Sequence, residues 1–98
     1  MANKESVLRQ MSGKLERLDA RLAEMRSDVE RKSEQVRGRF SEEQAKLRAE
    51  RESLDRQADA MKKAGADAWK DLSSGLEKGY KDLSKAVDRA RKDFRKAQ

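Results

Sequence analysis

The segment Ala68-Trp69-Lys70-Asp71-Leu72 returns twice at intervals of eleven residues, as Gly79-Tyr80-Lys81-Asp82-Leu83 and as Ala90-Arg91-Lys92-Asp93-Phe94. Eleven residues make about three turns of an α-helix, so each repeat brings its apolar residues back to one face. The repeat predicts a helix over about 67–96 with one apolar stripe, made of Trp69, Leu72, Leu76, Tyr80, Leu83, Val87, Ala90 and Phe94.

A heptad pattern precedes this segment. Its apolar residues alternate steps of three and four, as in a coiled coil: Leu8, Met11, Leu15, Leu18, Leu22, Met25 and Val29. Lys32 takes the next core position, after which the stripe continues through Val36, Phe40, Leu47, Leu54 and Met61. Because all of these positions share one helical face, the pattern favours one long helix over about 4–63.

Two positions interrupt the helical pattern. Gly38 precedes Ser41-Glu42-Glu43-Gln44, which has the spacing of a capping box, so a break near 38–41 and a three-helix bundle form the alternative. Lys62 and Lys63 suit a helix C-terminus, and Gly65 suits a left-handed cap. We therefore expect a turn at 64–66, with Asp67 at the start of the next helix.

These elements predict an all-α fold: an elongated antiparallel helical hairpin, or coiled coil, forming a single domain over 1–98. The second helix would pack on the second half of the long one through Val36, Phe40, Leu47, Leu54, Met61 and the stripe of 67–96. Since it is too short to reach further, the heptad residues from Leu8 to Val29 would stay bare and mediate self-association. We expect a homodimer or a higher homo-oligomer, whose orientation the flanking charges leave open.

Composition argues against catalysis. The chain of 98 residues is 35% hydrophobic and 45% charged, with no proline, cysteine or histidine. Thiolate and imidazole chemistry and the usual zinc, haem and copper sites are therefore excluded. Acidic residues on a thin helical assembly are expected to be solvated, so we expect no enzyme, no metal site and no cofactor. The N-terminus has no apolar signal core and the chain no long apolar run, which predicts a cytoplasmic protein.

The net charge is +6 and is spread evenly, with sixteen basic against thirteen acidic residues up to Ala64 and nine against six from Gly65 onward. A local excess of basic residues occurs near the C-terminus, and its candidate contacts to an anionic surface are Arg89, Arg91, Lys92, Arg95 and Lys96. Binding of a membrane surface by the amphipathic helix, or salt-dependent binding of nucleic acid, are the alternative functions.

The junction Gly65-Ala66-Asp67-Ala68-Trp69-Lys70-Asp71-Leu72 and the following Gly75–Val87 segment resemble a family of small bacterial coiled-coil proteins of the general-stress type. In that family a long helical region ends in a Gly-Asp-Ala-Trp-like junction and a repeated Trp-x-x-Leu helix. This chain differs in carrying Tyr80 where a second tryptophan is common, and in being basic. The resemblance implies a cytoplasmic or stress-linked helical protein and supplies no catalytic residue. Together with the residue pattern it predicts a non-enzymatic structural or scaffolding protein.

Overall fold

A computed structural model describes residues 3–65 and 67–96. These residues form three α-helices: α1 (Lys4–Glu30), α2 (Glu34–Lys63) and α3 (Ala68–Lys96). Each is about 40–45 Å long at a rise of about 1.5 Å per residue, and together they fill a rod of 51 × 20 × 16 Å. The predicted all-α class is confirmed.

The break between α1 and α2 lies at residues 31–33. Arg31 ends α1, and its backbone N–H donates to the carbonyl groups of Asp28 and Val29. Ser33 then begins α2, since its hydroxyl accepts a hydrogen bond of 3.4 Å from the backbone N–H of Val36. This is the arrangement of a serine N-cap.

The prediction of one continuous helix over 4–63 is therefore wrong. The alternative had the correct number of helices but the wrong place for the break, because Gly38 and Ser41 lie inside α2. Ser41 caps nothing; its hydroxyl instead donates back to the carbonyl of Gly38 at 3.0 Å. Val29 and Val36 are seven residues apart, so the heptad spacing continues across the break and conceals it.

Burial explains why the chain turns at 31–33. Five apolar residues of the α1 heptad stripe are buried inside the same chain: Met11, Leu15, Leu18, Met25 and Val29. Removing one such side chain from water stabilises a protein by about 1.5–3 kcal/mol. Interrupting a helix loses a few backbone hydrogen bonds at about 1 kcal/mol each. Folding α1 back onto the other two helices is therefore favoured over extending it into solvent.

Neighbouring contacts give the topology. Asp19 pairs with Arg51 and Lys4 with the carbonyl of Ala64, so α1 and α2 are antiparallel. The approach of Gly79 to Leu54 and of Phe94 to Phe40 shows that α3 is antiparallel to α2. Helices α1 and α3 consequently run parallel, and the pair α2 and α3 is the most extensively packed.

The core runs the length of the rod. Its best-buried large side chains come from all three helices: Met11, Leu18, Met61, Leu76, Leu83 and Val87. At the end near residues 31–33 the rings of Phe40 and Phe94 meet edge to face, with centroids 5.5 Å apart, a favoured geometry for aromatic pairs.

The second connection differs in detail from its prediction. Helix α2 ends at Ala64 in an extended conformation (φ −71°, ψ 147°). Gly65 does not have a positive φ, so the predicted left-handed cap is wrong. The Lys4 ammonium instead donates 3.0 Å to the carbonyl of Ala64. The backbone carbonyl of Asp67 accepts from Lys70 at 3.2 Å, and Ala66, the last residue of the predicted turn, lies outside the described residues.

Candidate functional site

The predicted self-association stripe lies mostly inside the bundle. Five of its seven residues are core residues, whereas Leu8 and Leu22 are half-buried at its edge. The expectation that this stripe would be bare is wrong, because the break at 31–33 allows α1 to fold onto α2 and α3. The structure therefore removes the reason for which the heptad pattern predicted an oligomer, and leaves two leucines at the surface.

The residues predicted to pack the hairpin lie as follows. Nine are buried: Val36, Phe40, Leu47, Leu54, Met61, Leu76, Leu83, Val87 and Phe94. Trp69 and Tyr80 are half-buried against the core. Leu72, by contrast, is 36% exposed and is the one large hydrophobic residue of the described ranges that lies on the open surface.

A shallow cleft between α1 and α2, here the α1–α2 groove, is lined by these two helices alone. It contains two basins named after their half-buried leucines. The Leu8 basin has a volume of about 440 Å³ and is lined by Leu8, Met11, Ser12, Leu15, Glu16, Arg51, Asp55, Ala58, Asp59 and Lys62. The Leu22 basin has a volume of about 370 Å³ and is lined by Leu22, Ala23, Met25, Arg26, Ser27, Glu30, Gln44 and Arg48. Each basin combines an apolar floor with a charged rim, which suits the side of another helix.

An ion-pair network lies at the end of the Leu8 basin that is nearer to the Leu22 basin. Arg51 donates from Nε and Nη2 to the two carboxylate oxygens of Asp19, at 2.7 and 2.9 Å. Its Nη1 donates to Asp55 at 2.6 Å. The Arg51 side chain is only 12% exposed, whereas those of Asp19 and Asp55 are more than half exposed. The network therefore fixes the register of α1 against α2 at the middle of the rod.

The surroundings of Arg51 raise the pKa of its guanidinium group. Burial of the guanidinium lowers the pKa of Arg51, but the hydrogen bonds and negative charges of Asp19 and Asp55 outweigh burial, so the net pKa lies above its ordinary value. Two carboxylates beside one guanidinium favour its charged form. Arg51 is thus permanently charged, and its ion pair with Asp19 links α2 to α1.

The charged residues around the two basins give net charges of opposite sign. The rim of the Leu8 basin has three carboxylates, Glu16, Asp55 and Asp59, against two cations. The rim of the Leu22 basin has two guanidinium groups, Arg26 and Arg48, against the carboxylate of Glu30. One end of the groove is therefore slightly acidic and the other slightly basic.

The opposite side of α1 is tied to α3. Arg21 forms an ion pair with Asp88 and donates 3.1 Å to the hydroxyl of Ser84. Farther along, Arg91 lies 3.8 Å from Glu24. The ammonium of Lys14 also lies over the ring of Tyr80, 5.5 Å from its centroid. Side chains of the two helices thus bridge this cleft.

The predicted anionic-surface residues do not form one patch. Arg91 turns toward α1 and pairs with Glu24. Arg89, Lys92, Arg95 and Lys96 are exposed. Arg89 and Lys92 share a shallow depression with Lys85 and Asp88, which makes a short basic row along the outer side of α3.

Sequence reasoning missed the Asp19–Arg51 pair. Arg51 lies between Leu47 and Leu54 on the α2 stripe. A charged residue at such a position is a signal for a partner on the neighbouring helix. That partner could not be found without knowing that α1 folds back.

Within 3–65 and 67–96, no group of three acidic side chains is placed to hold a metal ion. None of the three helices, over the same ranges, has a stretch long and apolar enough to cross a membrane. Searches of protein-family models, of curated proteins and of solved structures gave no match to this chain.

Proposed function

We propose that this protein is a non-enzymatic structural module that self-associates through the α1–α2 groove. The observation that carries this proposal is the placement of Leu8 and Leu22. They lie two heptads apart on the same face of α1, and both remain half-buried at the groove. Half-buried leucines in a row between charged rims are typical of a surface that receives another helix.

The other two sides of the rod support this choice. The side between α1 and α3 is bridged by Arg21 with Asp88 and by Arg91 with Glu24. On the side between α2 and α3, the absence of a side chain at Gly79 lets α3 pack directly against Leu54 of α2. The α1–α2 groove is itself bridged at its middle, where Arg51 pairs with Asp19, but its basins of about 440 and 370 Å³ are larger than the cleft of about 260 Å³ between α2 and α3.

Sedimentation velocity over a concentration series from about 1 to 500 μM tests the proposal, since weak dimers of this kind fall in that range. We expect a monomer–dimer equilibrium for the unmodified protein. Leu22→Glu should shift it to monomer, because it places a charge in the contact while the side chain can still reach solvent.

Leu72→Glu is the matched control. It introduces the same charge on an exposed leucine of α3, outside the groove, and should leave the dimer unchanged. Circular dichroism checks that both variants remain folded. A monomer at every concentration, or a dimer that responds to Leu72→Glu and not to Leu22→Glu, would contradict the proposal.

A second candidate is salt-dependent binding of nucleic acid by the basic row of Lys85, Arg89 and Lys92. What favours it is that these three side chains are exposed and lie on one side of α3. A lipid contact is less favoured, because the apolar stripe of α3 is covered by α1 and α2. A gel shift near 50 mM salt that shows no binding would dismiss nucleic acid, as phosphate contacts are strong there.

A role in a general stress response is a further part of the proposal. It is supported by the resemblance of residues 65–87 to stress-type coiled-coil proteins. Quantifying the protein in its own cells before and after osmotic and oxidative challenge tests it, and an unchanged level under both would count against it.

A further inference from the structure

The distribution of charge along the α1–α2 groove indicates how two copies would be oriented. We infer that the second copy lies antiparallel, with a two-fold axis at the level of Asp19 and Arg51, so that the Leu8 basin of each copy faces the Leu22 basin of the other. This inference rests on the proposed function, because it assumes that the α1–α2 groove is the dimer contact.

The charges support the antiparallel arrangement. The Leu8 basin has an excess of one carboxylate and the Leu22 basin an excess of one guanidinium. In an antiparallel pair each acidic basin meets a basic one. In a parallel pair each basin would meet its own copy, so the excess charges would repel.

The register of α1 and α2 makes the match specific. Asp19 and Arg51 lie side by side, which in an antiparallel pair of helices puts Arg48 level with Leu22 and Asp55 level with Leu15. A two-fold axis at Asp19 then brings Arg48 of one copy to the level of the partner's Glu16, so that these two charges face each other across the contact. Arg26 likewise comes within one residue of the level of the partner's Asp59.

The area available is sufficient for a dimer. Helix α1 has 27 residues, and the face formed by two adjacent helices of that length covers roughly 700 Å² on each partner, which is close to the standard size of a specific interface. The charged residues of the rims would favour one orientation of the two copies, and the half-buried leucines would supply the apolar contact.

Charge reversal tests the orientation. Glu16 and Arg48 are both exposed, so replacing them leaves the core intact. Glu16→Arg alone gives both basins a basic excess, and Arg48→Glu alone gives both an acidic excess. Each should raise the dimer dissociation constant about tenfold at low salt, and the double variant Glu16→Arg/Arg48→Glu should return it to within about threefold of the original.

The matched control reverses the exposed pair Glu77 and Lys81 on α3, which should change nothing. Cross-linking gives a second measurement, because the chain has no native cysteine. Ser12 and Ser27 both line the groove. Mixed single-cysteine variants should form the Ser12→Cys to Ser27→Cys cross-link in an antiparallel pair, and the Ser12→Cys to Ser12→Cys cross-link in a parallel one.

The outcomes separate the two proposals. A monomer at every concentration overturns both the proposed function and the orientation. A dimer that Leu22→Glu dissociates, but in which the charge variants have no effect or the Ser12→Cys homodimer dominates, overturns the orientation alone. Rescue by the double variant together with the mixed cross-link supports both.

Discussion

Gly79 lies so close to Leu54 that a Cβ atom built on the glycine would be 2.7 Å from Leu54 Cδ2. The two residues mark the closest approach of α3 to α2. Gly75, one turn earlier in α3, has nothing within 4 Å of the same position. The close approach of the two helices therefore depends on the missing side chain of Gly79 and not on that of Gly75.

The two glycines should therefore respond oppositely to alanine. Gly75→Ala should raise the free energy of unfolding by about 0.5–1 kcal/mol, because alanine restricts the unfolded chain and suits a helix interior. Gly79→Ala gains the same benefit but overpacks a buried leucine, which costs about 1–3 kcal/mol. Urea denaturation of both variants measures the difference, and equal effects would contradict the close contact.

The two serines Ser33 and Ser41 distinguish the observed break from the one near 38–41. Ser33→Ala removes the N-cap of α2 and should lower the free energy of unfolding by about 1 kcal/mol. Ser41→Ala lies within α2 and should be neutral or slightly stabilising, since alanine favours a helix interior. Thermal denaturation followed by circular dichroism compares them. The reverse order of stabilities would place the break at the second serine.

Leu18 tests whether α1 belongs to the core of a single chain. It is fully buried, so Leu18→Ala should lower the free energy of unfolding by about 3–5 kcal/mol through lost burial and a cavity. The loss should not depend on protein concentration, because no second chain is needed to bury this residue. Leu72→Ala, at an exposed leucine, should change stability by less than about 0.5 kcal/mol. A loss that depends strongly on protein concentration would indicate that Leu18 is buried by another copy and not by its own chain.

Arg51 should not be replaceable by lysine. Lysine cannot make the two parallel hydrogen bonds to Asp19 while also reaching Asp55. Because both carboxylates are more than half exposed, we expect Arg51→Lys to cost only about 0.5–1 kcal/mol. The loss should shrink in 0.5 M salt. Arg56→Lys, at an exposed position of α2, is the control, and an equal loss there would show that the network contributes nothing.

Regular spacing predicted most of the fold. The eleven-residue repeat gave α3 to within a residue at its start, and the α2 stripe gave the antiparallel packing partners from Val36 to Met61. The break at 31–33 was not predicted because Val29 and Val36 are one heptad apart. The apolar spacing is therefore the same whether the helix continues or breaks between them. What decides between them is the burial of Leu18 and its neighbours, which is a property of the tertiary structure.

The candidate site was less predictable for the same reason. The heptad stripe includes Leu8 and Leu22, but spacing alone does not separate them from Leu15 and Leu18, which α2 and α3 bury more completely. The pairing of Asp19 with Arg51 depends on two residues 32 positions apart. Their proximity follows from the turn at 31–33 and from nothing local to either residue.

An odd number of alternating helices has a mechanical consequence. Asn3 and Lys96 lie at opposite tips of a body 51 Å long, so cargo fused near the two termini would be held apart by that distance. Force applied between the tips would pull α1 and α3 in opposite directions along their shared boundary. The ion pairs between these two helices, Arg21 with Asp88 and Arg91 with Glu24, would then bear the load together in shear.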